Sequence, residues 1–427
     1  MSFDLLSSRE QLVRVMNRIY YGGMTTLSGG NLSILDDDGS LWITPGGVDK
    51  GNLTPKDIVR VYADGTVEGL HKPSSELPFH RAIYAQRPDV RAIVHAHPPA
   101  LVAFSIAREV PDTRIIPQAW RVCGRVGYAV YALPGSEVLG KNIAAAFGAG
   151  SNVILLENHG TASVGDTLLN AFQRLETLDF CARTQMYAAR LGPVTTLDQA
   201  QIEMFDHREN DLPEFVPKRH SSRERELREQ MVDAVHRAYS RQLMISTEGV
   251  VSARLDEDSF LITPTGQDRQ SIEHRDIVLV RDGKREQGKR PSRSVLLHAK
   301  LYQQHRGIHS IMTAQSPYAT AYTISAAPMN TRTIPESYIM LRDAPRIGYG
   351  TQFNDHDAVA EIIAPQRPVL LIQNDCVMTT GESVLQAFDR LEVVEFTARS
   401  LIDTTDIGDL VPIGQQDIDD LEQKFFS

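Results

Sequence analysis

Three histidines in the first half of the chain stand where they could do chemistry: His95 and His97 in "VHAHPPA", and His159 in "ENHG". Residues two apart in an extended strand point to one side, so His95 and His97 can turn both imidazoles toward one ion. A third imidazole from the end of another strand, His159, would complete a three-nitrogen set with an open position, as in catalytic zinc and similar divalent sites. An H-x-H pair alone is a weak pattern, because histidines satisfied within the fold or facing solvent read the same way. Glu76 follows "KPSS". Beside a metal it could be a general acid or base; at a helix start it would only complement the dipole. The turns "SGGNLS" and "ITPGG" could bring backbone N–H groups to an anion, as could a helix N-terminus after Ser74 and Ser75, whose plainer role is capping.

Several elements must position these residues. Leu12, Val13, Met16, Ile19 and Tyr20 have helical spacing and are followed by Gly22 and Gly23, so "MSFDLLSSREQLVRVMNRIYYGG" predicts an amphipathic helix rather than a secretion signal. Short strands are expected at Asn31–Leu35, Leu41–Thr44 and Asp57–Val61, a helix over about Ser75–Gln86, and apolar runs at "AIVHA" and "NVILLEN" before a long helix. The mixture predicts a layered α/β domain. The polar stretch from Thr195 to Gln230 reads as a connector into a new helix.

Beyond that connector the chain repeats itself. "LWITPGGVDK" returns as "FLITPTGQDR", so Thr44, Pro45 and Gly47 recur as Thr263, Pro264 and Gly266; Phe172, Arg174, Leu175 and Glu176 recur as Phe388, Arg390, Leu391 and Glu392. Registration over nearly 200 residues signals a duplicated domain. The copies differ in their chemically equipped residues. His95, His97 and His159 become Thr313, Gln315 and Asp375, Glu76 becomes Ser294, and Asn31 becomes Val250. The first copy is therefore the one expected to carry chemistry.

The chain has 427 residues, 42% of them hydrophobic and 23% charged, which fits two globular domains and excludes wholesale disorder. A net charge of -10 argues against nucleic acid or an anionic membrane as the main partner. No run of apolar residues approaches a membrane span, and Cys123, Cys181 and Cys376 lack paired spacing, so a cytoplasmic location is expected. The basic run from Arg281 to Ser294 reads as a solvated loop in preference to an anion-attracting face.

"SGGNLS", "ITPGG", "KPSSE", "HAHP" and "ENHG", in this order, resemble the class II aldolase/adducin family. The full set lies within about residues 5 to 195 and a degraded set within 225 to 405. The resemblance implies two tandem three-layer α/β/α sandwich domains with mainly antiparallel central sheets, here set at 1–205 and 220–427. It also implies a divalent metal held by His95, His97 and His159, zinc first, with manganese, cobalt or ferrous iron as alternatives. Glu76 matches the family's acid/base carboxylate, and Asn31, Gly46, Gly47, Ser74 and Ser75 match its substrate-phosphate positions. Gly46 stands where sugar-phosphate members often carry serine, which leaves phosphate binding open. The expected function is a metal-dependent lyase acting on a small sugar phosphate or related hydroxy-carbonyl acid, by aldol cleavage or decarboxylation. Epimerase, dehydratase or oxygen chemistry at the same metal, and a non-catalytic adducin-like scaffold, are the alternatives. A homodimer forming a pseudo-tetramer of domains is the expected assembly.

Overall fold

The computed structural model describes residues 3–206 and 211–426. Within them the chain forms two compact units: residues up to Thr113 with Ala119–Arg183, and Arg114–Gln118 with the chain from Thr184 onward.

The first unit is built on an eight-stranded sheet of β1 (Asn31–Leu35), β2 (Leu41–Ile43), β3 (Val59–Val61), β4 (Val67–Glu68), β5 (Ala92–Ala96), β6 (Val126–Ala129), β7 (Val153–Leu156) and β8 (Gly160–Gly165). Their order is β4-β3-β2-β1-β5-β8-β7-β6, and all neighbours are antiparallel except β6 and β7. Helix α1 (Ser8–Tyr21) starts at a capping box in which the Ser7 hydroxyl accepts from Glu10 N and Glu10 reaches back to Ser7 N. It buries Leu12, Val15, Met16 and Ile19. Helix α2 (Leu77–Gln86) buries Phe79, His80 and Ile83.

Strand alternation sorts the side chains onto the two faces of the sheet. Leu32 of β1 and Ala92, Val94 and Ala96 of β5 join α1 and Phe172 and Leu175 in one core. Ile93 of β5, Ile154 and Leu156 of β7, and Ala162 and Val164 of β8 join Phe79 and Ile83 of α2 in another. This is a helix–sheet–helix sandwich. His95, one residue on from Val94, therefore falls on the α2 face, as do Asn31 and Ser33 on either side of Leu32.

The second unit repeats the plan with β10 (Val250–Arg254), β11 (Ser259–Ile262), β12 (Val278–Arg281), β13 (Lys284–Glu286), β14 (Ser310–Ala314), β15 (Arg346–Ile347), β16 (Val369–Ile372) and β17 (Cys376–Gly381). Their order, β15-β16-β17-β14-β10-β11-β12-β13, matches the first sheet strand for strand. Even the register is kept: Asn31 faces His95 in one sheet, and Val250 faces Thr313 in the other.

The polar stretch after Thr195 is more ordered than its composition suggests. It contains α3 (Gln199–Asp206), which buries Ile202 and Phe205, and β9 (Glu214–Phe215), a ninth, parallel edge strand against β13. Residues 207–210 of that stretch lie outside those described. The basic run is folded as well: Arg285 pairs with Glu214 and Lys289 with Glu286, so part of its charge is neutralised within the sheet edge. No helix among the described residues is long and apolar enough to cross a membrane.

Leu175 and Leu391, matched by the duplication, are both fully buried. Each replacement by alanine should cost about 2–5 kcal/mol. Denaturation followed by hydrogen exchange should show loss of protection confined mainly to the unit that carries the substitution.

Candidate metal centre

His95 lies on β5, His97 one residue beyond its end, and His159 in the turn between β7 and β8. That turn is made by Asn158, which is left-handed at φ 53°; its counterpart Asn374 takes φ 50°. Turn geometry is thus common to both copies, while the side chain that follows differs. Antiparallel pairing of β5 with β8 brings the two strand ends together, with Ala96 opposite Thr161. As a result one ring nitrogen from each of His95, His97 and His159 lies within 4.8 Å of the others, the one such group of histidine, cysteine or carboxylate side chains among the described residues. Nε2 of His95 and Nε2 of His97 are 3.1 Å apart. His95 Nδ1 lies 2.9 Å from the Thr161 carbonyl and donates to it, which leaves Nε2 turned to the centre.

Glu76 comes to the same point from the first turn of α2. It is the N-cap residue, yet its side chain makes no capping bond. Instead the carboxylate is turned inward, and the residue is 8% exposed. Oε2 accepts from Asn31 Nδ2 at 2.6 Å and lies 3.2 Å from His95 Nε2; Oε1 lies 3.5 Å from His159 Nε2. The expectation that Ser74 or Ser75 caps this helix is therefore revised. Ser74 Oγ accepts from Glu76 N at 3.3 Å, a local turn one step before the helix, and Ser75 is exposed.

The electrostatics follow from this packing. Burial would raise the Glu76 carboxyl, but the charge of His95 and hydrogen bonds from His95 and Asn31 outweigh it and hold the group well below the usual carboxylate range. Burial pulls His95 down, but Glu76 and the Thr161 carbonyl outweigh it and raise it. Burial first, and then the charge of His95, lower His97 to about 3 and His159 to about 4. Two neutral imidazoles and an ionised carboxylate, with a third imidazole that must give up a proton, form a donor set suited to a divalent cation.

The remaining candidates gather next to this cluster. Gly46 N donates to Lys72 O at 3.2 Å and Ser74 N to Thr44 O at 3.2 Å, so "ITPGG" and "KPSSE" run side by side. Gly47 takes φ 69°, and its counterpart Gly266 φ 70°. Gly46, Gly47 and Ser75 are exposed, whereas Ser74 and Asn31 are buried.

Two glycines not singled out from the sequence make room for His97. A Cβ on Gly160 would lie 2.5 Å from His97 Cδ2, and one on Gly29 2.9 Å from His97 Nδ1. Their counterparts are Cys376 and Glu248, in the copy where His97 has become Gln315. The joint change was visible in the aligned motifs but has no meaning until the ring is seen against both backbones. In the second unit Asp375, at the position of His159, accepts instead from Gln118 and Gln352 at 2.6 and 2.9 Å.

Comparison with known proteins gives the class. The Class II Aldolase and Adducin N-terminal domain family matches residues 10–186 and again 229–402, and the chain belongs to that family. A 3-oxo-tetronate 4-phosphate decarboxylase of Escherichia coli (strain K12) is 34% identical over 42% of this chain and 85% of its own length. A 5-deoxy-D-ribulose 1-phosphate aldolase of Bacillus thuringiensis serovar kurstaki is 31% identical over 47% of this chain and 93% of its own. A solved L-fuculose 1-phosphate aldolase has 32% identity, covering 48% of this chain and 95% of its own, with a TM-score of 0.42. Two copies of the family domain stand in one chain, and the second lacks the three histidines.

Gly160→Ala should displace His97, since the added Cβ would lie 2.5 Å from its ring and 2.7 Å from the Ala96 carbonyl that precedes it. Titration with Co2+ should show affinity reduced by about tenfold or more, the scale of changes that disturb ligand orientation. Cys376→Ala, its counterpart, should leave the titration unchanged.

Proposed function

We propose that this chain is a divalent-metal-dependent carbon–carbon lyase acting on a small sugar phosphate or a related phosphorylated 3-keto acid. The observation that supports it most directly is the convergence of His95, His97 and His159 on one point with the ionised Glu76 carboxylate 3.2 Å from His95 Nε2. In this reading the three imidazoles hold the metal, zinc first. The cation supplies Lewis acidity toward the carbonyl and neighbouring hydroxyl oxygens of the substrate, which lowers the energy of the carbanionic charge left when a carbon–carbon bond breaks.

The chain's own residues do the rest. Glu76 is ionised at neutral pH and so can accept a proton; Asn31 occupies Oε2, so Oε1 is the atom at which the proton is taken up and returned. In aldol cleavage that proton comes from the hydroxyl of the carbon being released, and it passes to the carbon left with the electron pair. In decarboxylation the carboxylate leaves as carbon dioxide, and the remaining carbon takes its proton from solvent water that the ionised Glu76 orients. The backbone N–H of Gly47 and the hydroxyls of Ser74 and Ser75, with Asn31 beside them, offer donors for a phosphate; Gly46, whose own N–H goes to the Lys72 carbonyl, shapes the exposed turn that brings them together. The activities named for the relatives favour these two reactions over epimerisation, dehydration or oxygen chemistry. The first domain, 1–205, would carry the metal, and the second, 220–427, would be its degenerate partner. The assembly would be a cytoplasmic homodimer containing four family domains, and a stable monomer by native mass measurement would overturn that assembly.

Metal analysis of wild type and His97→Ala, with assays over phosphorylated ketoses and 3-keto acid phosphates, tests the reading. Wild type should hold about one divalent ion per chain and His97→Ala much less; equal content would remove the site assignment. Metal-free wild type would favour the scaffold. Glu76→Gln should keep the ion and lose about 10^2- to 10^4-fold in kcat, the usual range for a general acid–base group.

Metal uptake should also be coupled to protons in a defined way. His97 and His159, at about 3 and 4, are already neutral at pH 5, whereas His95 lies above its ordinary value and must deprotonate to bind. Calorimetry at pH 5 to 6 in buffers of different ionisation enthalpy should therefore find about one proton released per ion, and not three.

A further inference from the structure

Behind Glu76 lies a buried chain of polar groups that the metal reading leaves unused. His80, on α2 one turn after Glu76, is fully buried, as is Ser33 of β1. Ser33 Oγ lies 2.6 Å from His80 Nδ1 and 2.8 Å from the Tyr84 hydroxyl; His80 Nε2 lies 2.5 Å from Asn31 Oδ1; and Asn31 Nδ2 lies 2.6 Å from Glu76 Oε2. These bonds can run in only one direction. An ionised carboxylate accepts and cannot donate, so Asn31 must turn its NH2 group to Glu76 and its carbonyl to His80. His80 must then carry its proton on Nε2, and its Nδ1 must accept from Ser33. The Ser33 hydroxyl, having donated, receives from Tyr84. A neutral imidazole suits this arrangement, and burial holds His80 neutral by lowering it to about 3.

The second unit provides a control within the same molecule. Ser252, His298 and Tyr302 keep the same contacts, at 2.8 Å from Ser252 Oγ to His298 Nδ1 and 2.7 Å to the Tyr302 hydroxyl. There Val250 replaces Asn31 and Ser294 replaces Glu76, and His298 Nε2 has no hydrogen-bond partner among the described residues. The part of the motif that joins strand to helix therefore persists without the part that reaches the carboxylate.

We propose that His80 is a positioning residue: by donating from Nε2 it fixes the orientation of the Asn31 amide, which in turn holds Glu76 by Oε2 and leaves Oε1 to the substrate. Its effect on rate rests on the lyase reading above; the hydrogen-bond chain itself does not.

The test uses the full-length protein, loaded with Zn2+, as wild type, His80→Phe, His80→Gln and His298→Phe. Nitrogen-15 NMR of labelled histidine should find wild-type His80 neutral with its proton on Nε2. The Asn31 side-chain amide protons should exchange slowly in wild type, His80→Gln and His298→Phe, and about tenfold or more faster in His80→Phe, since a buried hydrogen-bonded group exchanges through local opening. Glutamine places an N–H where Nε2 stood and should restore most of what phenylalanine loses. On the substrate that wild type turns over, His80→Phe should lower kcat by about tenfold or more with KM and Zn2+ affinity little changed, as expected for a lost alignment of a proton-transfer group. A proton on Nδ1 of His80, equal effects of His80→Phe and His298→Phe, or failure of His80→Gln to differ from His80→Phe would overturn the proposal. If His80→Phe fails to fold, the tautomer in wild type and the amide exchange in His80→Gln still decide it. Absence of any lyase activity in wild type, with the NMR signatures as expected, would count against the lyase reading and leave the hydrogen-bond chain supported.

Discussion

The structure of the first unit depends on one constraint: the antiparallel pairing of β5 between β1 and β8. That pairing sets Asn31 opposite His95 and Ala96 opposite Thr161, so three separate stretches of sequence meet at one end of the sheet. A register slip of one residue would turn His95 into the α1 core and Val94 toward α2. The apolar alternation of β5 forbids the slip, because Ala92, Val94 and Ala96 fill one core and Ile93 the other. Packing energy that has nothing to do with chemistry therefore holds the imidazole in place.

The two copies separate what the fold needs from what the site needs. Left-handed glycines at Gly30 and Gly47 have left-handed counterparts at Gly249 and Gly266, because the turns require them. Buried Lys50 donates to the Pro45 carbonyl and Arg269 to that of Pro264, so each copy ties its proline turn with a cation. By contrast Gly29 and Gly160 both lie against the His97 ring, and the second copy, which lacks that ring, carries side chains at both positions. A glycine can thus serve either the backbone or a neighbour's ring, and the duplicate tells the two apart.

Glu76 shows how a local rule yields to a tertiary one. Its position just before α2 and the serines ahead of it fit a capping sequence, and the helix does begin there. The carboxylate turns inward because Asn31 and the histidines offer it charge-assisted hydrogen bonds in a buried setting, where they outweigh a solvent-exposed cap. An ionised group at that depth would be costly without those partners. With them it becomes the basic member of the cluster.

The sequence by itself determined the duplication, the copy that carries the equipment, the strand containing His95, and membership of a family whose motifs come in a fixed order. These are legible because alternation, turn residues and repeated spacing are properties of neighbours along the chain. Only the tertiary structure decided that His159 reaches His95 and His97, that Glu76 faces the cluster, and that His80 and Ser33 stand behind Asn31. The same holds for α3 and β9, whose few apolar residues, Ile202 and Phe205 among them, gain their meaning from the surface they cover. Each of these is a contact across the sheet or between a strand and a helix. Such contacts depend on which face a residue occupies and what packs against it, and no spacing along the chain encodes that directly.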